Sequence, residues 1–246
     1  HYLEVLRADI ANTVLFARAE RDMESVGLAY LHFTGKYENF ESLSKDESGQ
    51  ILDSCIRILG LSKHYDGNSS MKPAKKTPTW IKSYLKTVAS LHSLNLSGLE
   101  EWVKITFENS GLIESWNIQL LTGNLPLSIQ PNNGIAFVCK RCTYSHLQPS
   151  AGICIKQSCH GSELDQKALD NIFNSDYFAW LSTKTPQRLR IEELTGQTRP
   201  LSKQRERQRF FRGDALRPKP LESELTHGID ALSVTTTMEV GVDIGS

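Results

Sequence analysis

Apolar residues recur at helical spacing along the first half of the chain. A helix places residues three and four positions apart on one face, so a stripe of this kind predicts a helix with one buried side. Residues 1–128 carry this pattern with little strand character, and we expect them to form a mainly helical subdomain. The three clearest stripes are Leu3, Leu6, Ile10, Val14 and Leu15; Ile51, Cys55, Ile58 and Leu59; and Trp80, Tyr84, Val88 and Leu91.

Two tryptophans of the helical region have two possible interpretations. Trp80 and Trp102 lie among aliphatic residues at helical positions. Because large aromatic side chains bury much apolar area, we expect both of them in the core. A platform that stacks nucleic-acid bases is the alternative.

The pattern becomes mixed towards the end of the chain. Residues 164–181 keep helical spacing, whereas residues 189–191 begin a strand that ends at a turn, Thr195-Gly196. Pro200 suits the first turn of a helix, where its missing N–H has no partner to lose, and Gly213 is typical of a helix end. Helices and strands in this arrangement predict an α/β fold class.

Charge is balanced over the whole chain but not along it. The 246 residues are 39% hydrophobic and 23% charged, as in ordinary globular domains, and the formal net charge is zero. Residues 184–219, however, hold eleven Lys or Arg against four Asp or Glu. A basic segment of this kind attracts a phosphate backbone; a solvated helix face is the alternative.

The hydrophobic runs are too short for a membrane span. None approaches the ~20 apolar residues that a transmembrane helix needs, and no cleavable signal pattern opens the sequence. We therefore expect a cytoplasmic location and no membrane partner.

Four of the five cysteines lie within 21 positions, as Cys139-x-x-Cys142 followed, after eleven residues, by Cys154-x-x-x-x-Cys159. Two cysteines two residues apart place both sulfurs on one tight turn, and a second pair across a hairpin completes a tetrahedral set. This spacing predicts a structural zinc ribbon over residues 129–165. Disulfides are the weaker alternative, because they are rare in cytosolic proteins.

Two histidines could compete for the metal. His146 would have to replace a cysteine, and His160 adjoins Cys159 too closely to share its tetrahedron, so we favour four thiolates. A full set of thiolates leaves no open position for a substrate, and we expect the metal to stabilise the fold and not to catalyse. Cys55 lies on an apolar stripe and is expected to be a buried, unreactive thiol.

The last residues of the chain combine β-branched residues with a glycine-containing turn. Residues 234–245 read Val-Thr-Thr-Thr-Met-Glu-Val-Gly-Val-Asp-Ile-Gly. This segment resembles motif V of superfamily 2 helicases and translocases, in the form Thr-Thr-x-x-Glu-x-Gly-x-Asp that DNA translocases carry. Upstream, residues 190–198 and the following helix resemble the strand, turn and Arg-bearing helix of the second RecA-like lobe, although many members have His-Gly in place of Thr195-Gly196.

That second segment carries arginines at regular intervals. Arg205, Arg209 and Arg212 share one helix face, and we expect them to bind nucleic acid. Both segments together resemble the large bacterial helicases associated with anti-phage defence and with a domain of unknown function. Those helicases have a cysteine cluster before the same lobe. The resemblance therefore implies that residues 166–246 form a truncated second RecA-like lobe.

The resemblance assigns roles to the last residues. It implies that Thr235 and Thr236 contact phosphates, and that Gly241 and Asp243 face the nucleotide while Glu239 steadies the turn. A simple turn in which Asp243 caps local backbone is the alternative. For the full-length parent the resemblance implies ATP and magnesium as cofactors. The implied partners are DNA, a first RecA-like lobe in the same polypeptide, and subunits of a defence system.

The sequence contains no Gly-x-x-x-x-Gly-Lys-[Ser/Thr] loop, which is the phosphate cradle of a P-loop ATPase. An Arg-rich motif VI is also missing, and both ends look cut, so we expect a fragment of a larger enzyme that is inactive by itself. The resulting prediction is part of an ATP-dependent DNA helicase or translocase. A zinc-bearing adaptor that binds nucleic acid or protein without ATPase activity is the alternative.

Overall fold

The structure is a computed structural model that describes residues 2–17, 21–66, 75–122, 124–170, 177, 180, 184–185, 190–194, 199–211 and 229–234. The chain divides into two compact units, residues 1–184 and residues 185–246. Helices and strands both occur, so the mixed composition expected from the sequence is confirmed.

The first unit contains four of the described α-helices. Helix α2 begins after Ser44, whose side chain accepts a hydrogen bond from the Glu47 N–H while the Glu47 carboxylate accepts one from the Ser44 N–H. This capping box satisfies N–H groups that have no partner within the helix. The four helices are α1 (Tyr2–Ile10), α2 (Lys45–Leu61), α3 (Thr79–His92) and α4 (Leu96–Asn109), and a π-helical turn (Ala11–Leu15) follows α1.

Short antiparallel strands complete the first unit. Strand β1 (Ala29–Phe33) pairs with β4 (Leu127–Pro131), and β2 (Ile113–Glu114) pairs with β3 (Asn117–Ile118). A three-stranded sheet has β5 at its centre, between β6 and β7. Its strands are β5 (Ile135–Cys139), β6 (Ser145–His146) and β7 (Leu164–Ala168).

Helix α2 lies at the centre of the core. Its residues from Ser48 to Gly60 are all buried except Gln50, including Ile51, Cys55 and Ile58 at 0% exposure. A helix that is covered on all sides gains from every apolar side chain, but it must find a partner for each polar one. The course of the surrounding chain provides those partners.

One end of this helix supports a buried charge cluster. The Arg57 guanidinium donates to both carboxylate oxygens of Asp22, at 2.9 and 3.1 Å, and to the Leu15 carbonyl at 2.9 Å. Its Nε lies 3.1 Å from the Glu24 carboxylate. Burial raises the pKa of Glu24 although Arg57 opposes the shift. A buried guanidinium therefore fixes the segment after the π-helical turn against α2.

Several expectations about the first unit need correction. The stripe of Leu3, Leu6 and Ile10 does form a helix, but these side chains are 62%, 45% and 42% exposed and do not enter the core. The region expected to be helical also contains β1, paired with a strand almost a hundred residues later. Residues 164–168 form β7 and not a helix. Helical spacing does not distinguish these cases, because sheet partners distant in sequence leave no local signal.

The second unit contains a strand, a helix and a further strand within its described residues. Strand β8 (Ile191–Leu194) and strand β9 (Ala231–Val234) pair in parallel, with Ile191 opposite Ala231. Helix α5 (Leu201–Phe211) lies between them in sequence. Parallel neighbours require a crossover connection, and a helix is the usual one. The strand and helix expected after residue 189 are thus present.

Within the described part of the chain, no helix combines the length and apolar character that crossing a membrane requires.

The buried cluster around Arg57 leads to a stability prediction. Asp22→Asn should lower the free energy of unfolding by about 3 kcal/mol, because it leaves a buried guanidinium with incomplete charge compensation. Glu108→Gln is the matched control: it breaks the exposed Lys104–Glu108 pair, at 3.6 Å, and should cost less than about 0.5 kcal/mol. Urea denaturation of both variants measures the difference, and equal losses would contradict the assigned role of Asp22.

Candidate metal centre

The first cysteine pair lies at the end of a central strand. Strand β5 ends at Cys139, whose N–H donates to the Tyr144 carbonyl at 2.9 Å. The Thr143 N–H donates to the Cys139 carbonyl at 2.8 Å. These two bonds close a tight turn around Cys142, so both sulfurs lie on the same side of it.

The second pair is held by a loop of different length. The Cys154 N–H donates to the Gly161 carbonyl at 2.8 Å, and the Cys159 N–H donates to the Lys156 carbonyl at 2.9 Å. Four residues separate these cysteines, against two in the first pair, and the loop turns within them. His160 has a positive φ of 47°, which reverses the chain directly after Cys159.

The four sulfurs have the spacing of a metal site. Sγ of Cys139 lies 3.7 Å from Sγ of Cys159, and Sγ of Cys142 lies 3.6 Å from Sγ of Cys154. All four lie within 4.8 Å of one another. A tetrahedral zinc ion with metal–sulfur bonds of about 2.3 Å would require sulfurs about 3.8 Å apart. The donor set therefore fits a metal ion such as zinc.

The electrostatics of the thiols differ within this cluster. Burial raises the pKa of Cys154 and of Cys159, because an ionised sulfur loses hydration there. Burial also opposes ionisation of Cys139. Hydrogen bonds from the backbone N–H groups of Cys142 and Arg141, and hydrogen bonds with the neighbouring thiols, outweigh burial and lower the pKa of Cys139 overall. A cation among the sulfurs would favour all four thiolates, because metal ligation deprotonates a thiol.

Gly161 allows the close approach of the two pairs. A Cβ added at this position would lie 3.1 Å from Sγ of Cys139 and 3.5 Å from Sγ of Cys159. A larger residue would push these sulfurs apart, so the glycine contributes to the geometry of the site.

The cluster is attached to the helical part of the first unit. Ile153 and Ile155, on either side of Cys154, are buried at 0% and 1% exposure in the main core. The Trp80 indole N–H donates to the Ile155 carbonyl at 2.6 Å. The position of the second cysteine pair therefore depends on contacts with α3.

The candidate histidine ligands lie outside this set. His146 is 1% exposed, and within the described part of the chain neither ring nitrogen of His146 or of His160 has a hydrogen-bond partner. Neither belongs to the metal-binding group found among the described residues, which consists of the four cysteines. Cys55 is buried in α2, and burial raises its pKa, as expected for an unreactive thiol.

The predicted nucleic-acid contacts are only partly within the described residues. Arg205 and Arg209 lie on α5, and both are exposed. Arg207, which we did not single out, lies 3.2 Å from a Glu192 carboxylate oxygen and donates to the Glu193 carbonyl. The other candidates lie outside the described residues: Arg212, Thr235, Thr236, Glu239, Gly241 and Asp243.

The role of Arg57 is not evident from the sequence. The only local signal is an arginine within an apolar run of α2, between Ile56 and Ile58. Its partners are 33 and 35 positions away in sequence, at Glu24 and Asp22. No spacing rule connects such distant residues.

Comparisons with known proteins give no relative: no family model, no curated protein and no solved structure matches the chain.

We predict about one zinc ion per molecule, held by the four cysteines. Cys139→Ser should lose most of the metal and the stability that depends on it, because metal-binding energy becomes folding energy. Cys55→Ser is the control, since it removes a thiol outside the cluster and should retain the metal. Elemental analysis measures the zinc content per molecule. A purified chain without metal, or one whose cysteines form disulfides under reducing conditions, would contradict the metal site.

His146 leads to a prediction of pH dependence. Burial, with the nearby Arg57 charge, lowers the pKa of His146 to about 3. Because the pKa of His146 is lower in the folded protein, the unfolded chain takes up the proton first as the pH falls. The contribution of the neutral His146 to stability is therefore fully present above pH ~6.5, and it is lost as the pH falls towards the folded-state pKa. Between pH 6.5 and 5 this effect of His146 should lower the free energy of unfolding by about 2 kcal/mol.

His146→Phe keeps an aromatic ring against Tyr144, whose ring centroid is 4.9 Å away, and removes the titrating group. The variant should show a flatter decline of the free energy of unfolding over this pH range. Denaturation at several pH values, with metal content measured at each, tests this. Parallel profiles for the two proteins would exclude His146 as the titrating group.

Proposed function

We propose that this chain is the zinc-bearing, nucleic-acid-binding part of an ATP-dependent superfamily 2 DNA helicase or translocase. In this proposal the first unit carries a structural metal site, and the second is a truncated RecA-like lobe. The lobe contacts the phosphate backbone and, at its end, the nucleotide. In this proposal the parent enzyme is cytoplasmic and acts in anti-phage defence, with ATP and magnesium as its cofactors.

A structural and not a catalytic role for the metal follows from its ligands. Four sulfurs complete a tetrahedral shell, which leaves no position for water or substrate. A zinc ion in this place would link β5 to the loop after Cys154.

The observation that carries the proposal is the order of elements in the second unit. Parallel strands β8 and β9 are separated in sequence by α5, and the motif V resemblance continues directly from β9. Arg207 is engaged by Glu192, whereas Arg205 and Arg209 are exposed on the same helix. Exposed guanidinium groups bind phosphates without reading sequence, as a translocating enzyme requires.

The last residues supply the proposed link to ATP. By the resemblance, Thr235 and Thr236 contact the phosphates of the strand, and Gly241 with Asp243 faces the nucleotide at the cleft between two lobes. A carboxylate in that position would couple closure of the cleft to hydrolysis, and its removal should affect hydrolysis more than DNA affinity.

A zinc-bearing adaptor without ATPase activity is the second candidate. It is favoured by one observation, that the 246 residues contain no P-loop to bind the β- and γ-phosphates. A polypeptide that joins this chain to a P-loop lobe and hydrolyses ATP in response to DNA would exclude the adaptor. The same polypeptide without such hydrolysis would exclude the helicase.

We predict that α5 contributes electrostatically to single-strand binding. Arg205→Ala with Arg209→Ala should weaken binding about tenfold for every sequence tested, or about 1.4 kcal/mol. The slope of log affinity against log salt should fall in magnitude by about 1.4, because two phosphate contacts are lost at ~0.7 each. Fluorescence anisotropy with labelled oligonucleotides at several salt concentrations measures both quantities.

A charge-matched control distinguishes a local interface from a general loss of positive charge. Lys82→Ala with Lys86→Ala removes two exposed charges from α3 and should leave the affinity and the salt slope nearly unchanged. Equal effects in the two double variants would contradict a nucleic-acid interface on α5.

A further inference from the structure

A cavity of about 550 Å³ lies in the first unit beside the loop between Cys154 and Cys159. Its lining includes Phe16 after the π-helical turn, Arg57 and Leu61 at the end of α2, and Trp80 at the start of α3. Tyr144 and residues 156–158 close another side. Ligand sites usually have volumes of about 300–1,000 Å³, so the cavity has the size of a small-molecule site.

Aromatic rings form much of the wall. Phe16, Trp80 and Tyr144 all line the cavity, and Trp80 and Tyr144 are only half-buried. The Trp80 indole N–H is already bound to the Ile155 carbonyl, which fixes the ring in place. Fixed aromatic faces bind flat rings by stacking, and every nucleobase provides such a ring.

Lys156 gives the cavity a positive charge that can bind an anionic group. Arg57 and its partner Asp22 both line the cavity, but the Arg57 charge is compensated by two carboxylates, Asp22 at 2.9 Å and Glu24 at 3.1 Å. Lys156 also lines it, and in the described part of the chain its ammonium group forms no ion pair. This ammonium lies 5.8 Å from the centre of the Tyr144 ring. A cation is thus available next to an aromatic face.

We propose that this cavity binds a nucleotide, with the base against the aromatic walls and a phosphate at Lys156. A cationic ligand would be repelled by Lys156, and a purely apolar one would bury that ammonium without a counter-charge. A base that carries one phosphate satisfies both parts of the lining. The phosphate belongs either to an unpaired nucleotide of a nucleic acid or to a free nucleotide, and both present the same chemistry.

The loop that presents Lys156 is fixed at both ends. Lys156 lies between two cysteines of the metal cluster, and its carbonyl accepts the Cys159 N–H at 2.9 Å. A zinc ion bound to both cysteines would keep this loop in its shape when a ligand binds, which would lower the entropic cost of binding.

This inference does not rest on the proposed function. The cavity belongs to the first unit, whereas α5 and its arginines belong to the second. Variants at Lys156 therefore test the cavity, and variants at Arg205 and Arg209 test the proposed nucleic-acid interface. If the cavity fails its test, the proposed nucleic-acid interface is unaffected, and the reverse also holds.

The contribution of the phosphate to binding is tested with two small ligands, adenosine and adenosine 5′-monophosphate, by isothermal titration calorimetry on the whole chain. The monophosphate should bind at least tenfold more tightly than adenosine. Lys156→Ala should abolish this preference, Lys156→Arg should retain it, and Lys86→Ala, an exposed lysine of α3, should behave as the unchanged protein. A monophosphate that does not bind, or binds Lys156→Ala equally well, would overturn the proposal.

The stacking face is tested at Tyr144. Tyr144→Leu should weaken binding of the monophosphate about tenfold, whereas Tyr144→Phe keeps the ring and should bind nearly as before. Metal content and melting temperature, measured for every variant, distinguish loss of the cavity from loss of the fold. Equal binding by the Leu and Phe variants, both folded and metal-loaded, would also overturn the proposal.

Competition identifies the source of the nucleotide. A short single-stranded oligonucleotide that displaces the monophosphate assigns the site to nucleic acid, and displacement by ATP alone assigns it to a free nucleotide. Displacement by neither assigns the site to a free monophosphate.

Discussion

The burial of helix α2 on nearly all sides is the constraint on which the first unit depends. A buried polar group costs free energy unless it finds a partner, and each buried polar side chain of this helix finds one in a different segment. Asp53 accepts the Phe33 N–H at 2.7 Å and so holds β1, while Arg57 holds the segment after the π-helical turn. Ser54 contacts the Ser150 hydroxyl at 2.7 Å. These bonds determine which parts of the chain surround the helix.

The cysteine cluster depends on the same helix. The Gln148 side chain donates to Ser54, and the Ala151 N–H donates to Gln50, so α2 positions the turn that precedes Cys154. Ile153 then enters the core. Contacts with α2 and α3 thus place one cysteine pair, and the end of β5 places the other. The sulfurs meet where these two parts of the first unit come together.

In the second unit, arginines on one helix have different surroundings. Arg207 is held by Glu192 on β8 and so attaches the helix to the strand, whereas Arg205 and Arg209 remain exposed. An ion-paired arginine contributes mainly to structure, while an exposed one keeps its charge available for an anion. Sequence spacing predicts a common face for Arg205, Arg209 and Arg212, of which Arg212 lies outside the described residues, and it gives no indication that Arg207 is engaged.

The sequence alone determined the features that depend on local spacing. These are the helical periodicity of α2, the strand and helix after residue 189, and the cysteine cluster, whose ligands lie within 21 positions. Tertiary structure alone decided that α1 leaves Leu3 exposed, that β1 pairs with a strand almost a hundred residues away, and that Arg57 meets Asp22. The cavity beside Lys156 is also of this kind, since its walls come from segments distant in sequence. Short-range patterns record which face of a segment is apolar, whereas the partner of that face depends on the path of the whole chain.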